Sequence, residues 1–126
     1  MGVTYVNLDT LMRESDIVTL HVPLNTETHH LISRQRLEMM KSTAILINTS
    51  RGNVVDIDAL GEILQQGRIA GAGIDVYETE PPLPQGHTLL QAPHCICVPH
   101  IGYASREAFD IRADIVFEHV DQYMER

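Results

Sequence analysis

Four short runs, the first of them rich in β-branched residues, punctuate the chain, and each gives way at once to a turn. They are Asp16-Ile17-Val18-Thr19-Leu20-His21-Val22 before Pro23, Ala44-Ile45-Leu46-Ile47-Asn48 before Thr49-Ser50, Gly71-Ala72-Gly73-Ile74-Asp75-Val76-Tyr77 before a proline-rich loop, and Cys95-Ile96-Cys97-Val98 before Pro99. β-branched side chains favour a pleated strand, and proline, which has no N–H to donate, ends one. Between the runs lie segments of helical period. Asn7 precedes Leu8, Leu11 and Met12, Ser33 opens a short helix through Met40 with Lys41 at its negative end, and Asp56 precedes Leu60, Ile63 and Leu64. Asn, Ser and Asp are residues whose side chains accept from the exposed amides of a helix start. Gly67 supplies a left-handed stop, and Ser105 opens a last helix striped by Ala113, Val116, Phe117, Val120, Tyr123 and Met124.

Strands alternating with helices predict an α/β fold, a parallel sheet of about four strands with right-handed crossovers and helices on both faces. The 126 residues suffice for one domain with a real core and leave no room for two. The balance is acidic, 17 Asp and Glu against 9 Lys and Arg, a formal net charge of -8. Scattered cations in an acidic chain offer no stripe to neutralise phosphates, so nucleic acid is not an expected partner. No apolar stretch approaches the ~20 residues of a membrane span, and Met1-Gly2-Val3-Thr4 opens no secretory signal; the expectation is a cytoplasmic protein without a membrane partner. Cys95 and Cys97 lie too close to staple a fold and read as reduced thiols.

In parallel α/β sheets ligands sit beyond the carboxyl ends of the strands. There the sequence places Pro23, Thr49 to Gly52, Asp75 to Glu80, and His100 to Gly102. An Arg, an Asp, a Glu and a His at one edge are unusual for ordinary turns. The Arg51 guanidinium matches a carboxylate, the His100 imidazole exchanges protons near neutral pH, and Glu80 is of the type that orients such a ring. Singly, each also fits a surface ion pair or a turn. His94-Cys95-x-Cys97-x-x-His100 contains zinc-compatible ligand types. Cys95 and Cys97 share one face of a strand while Pro99 turns the chain away, so two small core side chains and no metal is the reading adopted. The adjacent His29 and His30 read as solvated loop residues.

Asn48-Thr49-Ser50-Arg51-Gly52, Gly73-Ile74-Asp75-Val76-Tyr77-Glu78-Thr79-Glu80-Pro81 and Pro99-His100-Ile101-Gly102-Tyr103 resemble, in order, the successive motifs of the D-isomer-specific 2-hydroxyacid dehydrogenases. Asp16 through Leu24, with Thr28, is similar to that family too, so the resemblance covers essentially the whole chain. It implies hydride transfer between a nicotinamide cofactor and a small 2-hydroxy or 2-keto acid, in a cleft between a cofactor domain and a substrate domain. By motif, Arg51 binds the substrate carboxylate and polarises its carbonyl. His100 takes and returns the hydroxyl proton, and Glu80 holds its ring and raises its pKa. Asp75 and the backbone around Thr49, with Ser50, orient the nicotinamide carboxamide, Gly102 lets the chain approach the nicotinamide ring, and Val22, Pro23 and Thr28 line the adenosine and ribose side. The cofactor implied is NAD, with NADP not excluded.

The family's Gly-x-Gly-x-x-Gly turn, which cradles pyrophosphate at a helix N-terminus, has no counterpart here. Gly71-Ala72-Gly73 falls within a strand and reads as close packing. The chain therefore reads as residues 1–126 of a partial Rossmann-like doubly wound sheet, the C-terminal portion of a dinucleotide-binding domain lacking its first two strands. Residues 105–126 are the helix leading back to an absent substrate domain. In the strand order 3-2-1-4-5-6, the run at Asp16 is the third strand and that at Ala44 the fourth. The first run is then expected to be displaced, to borrow a partner, or to pair directly with the next across the missing strands. Little activity is expected of the chain alone. The alternative is a non-enzymatic remnant that self-associates as a homodimer, or docks on the missing remainder, through its last helix and unpaired edge.

Overall fold

The computed structural model describes residues 2–79 and 82–125. The helix starts are where the capping residues stand. Asn7 accepts from the Thr10 amide at 2.8 Å and opens α1, Leu8–Glu14, while Asp56 accepts from the Ala59 amide at 3.0 Å and opens α3, Ile57–Gln65. Ser33 occupies the cap position of α2, Arg34–Met39, without making the cap bond; its hydroxyl pairs with Gln35 Oε1 at 3.3 Å. Gly67 carries a φ of 63° behind α3, the left-handed stop that glycine tolerates without strain.

The strands are β1, Ile17–Leu20, β2, Ile45–Asn48, β3, Gly71–Ile74, and β4, Cys95–Cys97. They form one sheet in chain order, parallel throughout. β1 pairs directly with β2, Ile17 opposite Ile45 through Leu20 opposite Asn48, with no gap between them. Direct pairing is thus the outcome among the three considered. The third run was expected to extend to Tyr77, but the ladder ends at Ile74 because its partner Asn48 is where β2 leaves the sheet.

Two elements escaped the sequence reading. A 3-10 turn, Gly52–Val54, follows Arg51, and a one-turn helix α4, Thr88–Gln91, sits inside the proline-rich loop. His87 caps α4, its Nδ1 accepting from the Leu89 amide at 3.3 Å, which leaves the ring hydrogen on Nε2 to donate to Glu78 Oε1 at 3.0 Å. The last helix, α5, runs Arg106–Met124, capped by Ser105, whose Oγ accepts from Ala108 at 3.1 Å.

Register turns the strands into rows. Val18, Leu46, Ala72 and Cys95 form one and Leu20, Asn48, Ile74 and Cys97 the next, both facing the core with Met12, Leu37, Leu60, Ile63 and Leu64. The opposite face carries Ile17, Ile45 and Ile96, exposed at 59%, 40% and 72%. Helices on both faces were expected; among the described residues the helical core covers one face only. α5 buries none of its residues. The glycine reading also divides: a Cβ on Gly71 would lie 2.8 Å from the His94 carbonyl oxygen, which is close packing, whereas one on Gly73 would meet nothing within 4 Å.

Candidate active site

Because β1 to β4 run parallel, the segments leaving their carboxyl ends share one edge of the sheet. After β2 the chain is shaped by a buried amide. Asn48, fully buried, donates from Nδ2 to the Arg51 carbonyl at 2.9 Å, and its Oδ1 accepts from the Ser50 amide at 3.0 Å and the Ser50 hydroxyl at 2.9 Å. That closes a tight turn with Thr49 and Arg51 exposed at its tip. Gly52 follows because the turn passes against the Tyr77 backbone, where a Cβ would collide with the carbonyl group. Arg51 donates to the Ser50 carbonyl at 2.6 Å and forms no salt bridge among the described residues. Its guanidinium keeps donors for an incoming carboxylate.

Val22 and Pro23 after β1 join Thr49, Ser50 and Arg51 around an open hollow of about 430 Å³. His21 lines it as well, hydrogen-bonded through Nε2 to Thr19 Oγ1 at 3.0 Å. Sequence reasoning passed His21 over, although its strand parity with Ile17 and Thr19 was a usable signal. Thr28 stands behind this wall. Its hydroxyl donates to the Pro23 carbonyl at 2.6 Å and accepts from the Asn25 amide at 2.9 Å, which fixes the turn that presents Pro23.

Beyond β3 and β4 the groups are tied together. Asp75 is 3% exposed, and its carboxylate accepts from the amides of Ile101 and Gly102, each at 2.7 Å. A Cβ on Gly102 would lie 2.8 Å from Asp75 Oδ2. The missing side chain thus makes room for the carboxylate. Tyr77 donates to the carbonyls of Ile74 at 3.2 Å and Val98 at 3.0 Å, and burial pushes its hydroxyl well above the usual phenol range, so it remains a donor. His100 is half-buried, with a φ of 56°, and its ring meets Tyr103 edge-on at 6.0 Å. Glu80 lies outside the described residues.

The structure therefore brings Val22, Pro23, Thr49, Ser50 and Arg51 into one hollow, and separately joins Asp75 to the turn of His100 and Gly102. The sulfurs of Cys95 and Cys97 lie 3.6 Å apart on the core side of β4, and burial with the neighbouring Cys97 pushes the Cys95 thiol up to about 12. Among the described residues no three metal-ligating side chains converge.

Residues 1–102 match the family model of the D-isomer specific 2-hydroxyacid dehydrogenase NAD binding domain. The chain belongs to this family. It is 49% identical over 120 residues to a glyoxylate reductase of Korarchaeum cryptofilum, covering 95% of this chain and 36% of that protein. It is 45% identical over 121 residues to a glycerate dehydrogenase of Methylorubrum extorquens, covering 94% and 38%. The chain thus spans somewhat over a third of these relatives. Among solved structures, the D-lactate dehydrogenase of Aquifex aeolicus, complexed with NAD and lactic acid, superposes with a TM-score of 0.86 at 34% identity, over 97% of this chain and 41% of that one. A superposition that complete includes β1 and β2. The direct pairing of β1 with β2 is consequently shared with that structure, and the expectation that two strands are missing between them is corrected.

Proposed function

We propose that this chain forms the nicotinamide-proximal and acid/base part of an NAD-dependent D-2-hydroxyacid dehydrogenase. It is the C-terminal portion, residues 1–126, of the dinucleotide-binding domain, and residues 105–126 lead back toward a substrate domain. The substrate class is a small 2-keto acid such as glyoxylate and its 2-hydroxy product, which the glyoxylate reductase relatives support. The observation that carries the reading is the edge itself: an exposed Arg51 beside a hollow at the end of β2, and His100 in a braced turn at the end of β4.

The hollow fits the ribose region of the cofactor, with Val22 and Pro23 as apolar wall toward the adenosine side and Thr49 and Ser50 as polar contacts toward the nicotinamide; the Gly-x-Gly-x-x-Gly turn that grips pyrophosphate lies outside these residues. NAD(H), when bound, supplies the hydride chemistry. Arg51 binds the substrate carboxylate with a two-pronged guanidinium contact and draws electron density from the adjacent carbonyl. His100 delivers a proton to the carbonyl oxygen in reduction and removes it from the hydroxyl in oxidation, with Glu80 orienting the imidazole. Thr28 acts from behind, by holding Pro23. A cytoplasmic location suits this chemistry, and among the described residues no helix is long and apolar enough to cross a membrane.

The test is NADH oxidation with glyoxylate, together with NADH binding followed by saturation-transfer NMR. Nicotinamide protons receive saturation from the chain, and turnover is slow because the pyrophosphate cradle is not part of it. His100→Ala lowers that turnover by about 10²- to 10⁴-fold, the usual share of a positioned acid/base group, and Arg51→Ala lowers it by about 10²-fold because the substrate carboxylate is no longer held in place. Failure of NADH to bind, or turnover indifferent to both variants, refutes the reading.

A second reading rests on the uncovered surface. Phe109, Ile111, Val116, Phe117, Tyr123 and Met124 of α5 are all more than half exposed, as are Ile17 and Ile96 on the open sheet face. Apolar patches of this kind favour association, and a non-enzymatic, self-associating chain predicts a dimer in sedimentation at micromolar concentration. A monodisperse monomer refutes it.

A further inference from the structure

A histidine with positive φ sits in a sparsely populated region of backbone space, and such a conformation persists only where its surroundings over-determine it. At His100 the φ is 56°, and the residues that follow supply the constraint. The amides of Ile101 and Gly102 point the same way and converge on the two oxygens of Asp75, each at 2.7 Å. Two successive amides converging on an anion form a small concave nest, and here the anion is built into the protein. The carboxylate itself is anchored: it is 3% exposed, and the Asp75 amide donates to the Asn48 carbonyl at 3.0 Å. The end of β2 thereby fixes Asp75, and Asp75 fixes the turn after β4. On the other side of His100, its own amide donates to the Val98 carbonyl at 3.1 Å, and that carbonyl also accepts from Tyr77 at 3.0 Å.

We infer that Asp75 is a positioning residue for His100, holding the His100-Ile101-Gly102 turn in the left-handed conformation that presents the imidazole, whether or not cofactor is bound. This rests on the reading of His100 as the acid/base group and assigns the buried carboxylate a task inside the protein. Gly102 belongs to the same device. Its lack of a side chain lets Oδ2 reach the Gly102 amide, since an added Cβ would stand 2.8 Å from that oxygen. The clamp requires a charged, two-oxygen acceptor. An asparagine presents one oxygen and one NH₂, so one prong becomes a donor facing a donor.

The experiment uses the full chain without cofactor, comparing wild type, Asp75→Asn and Gly102→Ala by amide hydrogen exchange and by the NMR signals of the His100 and Tyr103 rings. Hydrogen bonds to charged groups contribute enough that removing one prong speeds exchange of the Ile101 and Gly102 amides by about ten- to a hundredfold. The ring contact between His100 and Tyr103 weakens in both variants, while core amides such as those of Leu46 and Leu60 keep their protection. Gly102→Ala is decisive if Asp75→Asn fails to fold, because it opens the clamp while leaving the buried charge in place. Unchanged exchange at Ile101 and Gly102, or unchanged His100 ring signals in a folded variant, overturns the inference. Turnover indifferent to His100→Ala would instead sink the assignment of His100 and leave the clamp standing, so the two failures are told apart.

Discussion

α3 and α5 begin alike and end differently. Each has a side-chain cap that accepts from the amide three residues on, Asp56 for α3 and Ser105 for α5. α3 then buries Ile57, Ala59, Leu60, Gly61, Ile63 and Leu64 in the core, with Gly61 turned to Thr88 of α4, whereas α5 buries nothing, although it is more than twice as long and carries Phe109, Ile115, Phe117 and Val120. A capped apolar helix is therefore no guarantee of a core. What decides burial is a surface to bury against, and helices in proteins draw most of their stability from that packing.

The sharpest way to break the comparison is to hollow out its packed side. Leu60→Ala removes a fully buried side chain and is expected to cost about 2–5 kcal/mol, read as a lower urea midpoint. If Leu60→Ala costs no more than a change on α5, the contrast is empty. Next come the caps. Asp56→Ala costs about 1 kcal/mol of global stability by the same titration, while Ser105→Ala lowers helical circular dichroism with a smaller shift in the midpoint. Smallest is Phe117→Glu, on a side chain 68% exposed: stability stays within about 0.5 kcal/mol. In sedimentation the same variant weakens any self-association, which sharpens the comparison by showing whether the exposed side has a use.

The caps Asn7, Asp56 and Ser105 and the stop at Gly67 were legible because their chemistry is local, settled within a single turn. α4 was not, being one turn long and capped by histidine. The open face of the sheet was hidden too: Ile17, Ile45, Ile47 and Ile96 make the runs apolar on both sides, the pattern of strands covered twice. Pairing of β1 with β2 is a non-local fact, so an assumed strand order misplaced it. At the site, residue types led to Arg51, Asp75 and His100. The clamp from Asp75 to Ile101 and Gly102, and the buried Asn48 that folds the Arg51 turn, emerged only in space.

The sheet follows the order of the chain, β1 to β4, and this bears on how the molecule is made. No strand has to insert between two that are already paired, and each addition closes one connection of similar span, residues 21–44, 49–70 and 75–94. Closure entropy rises only slowly with such lengths, and contacts between successive units favour fast folding. A chain emerging amino end first can add each strand to the edge left by the one before it. The turn bearing His100 is then set last, once Asp75 is already in place to receive it.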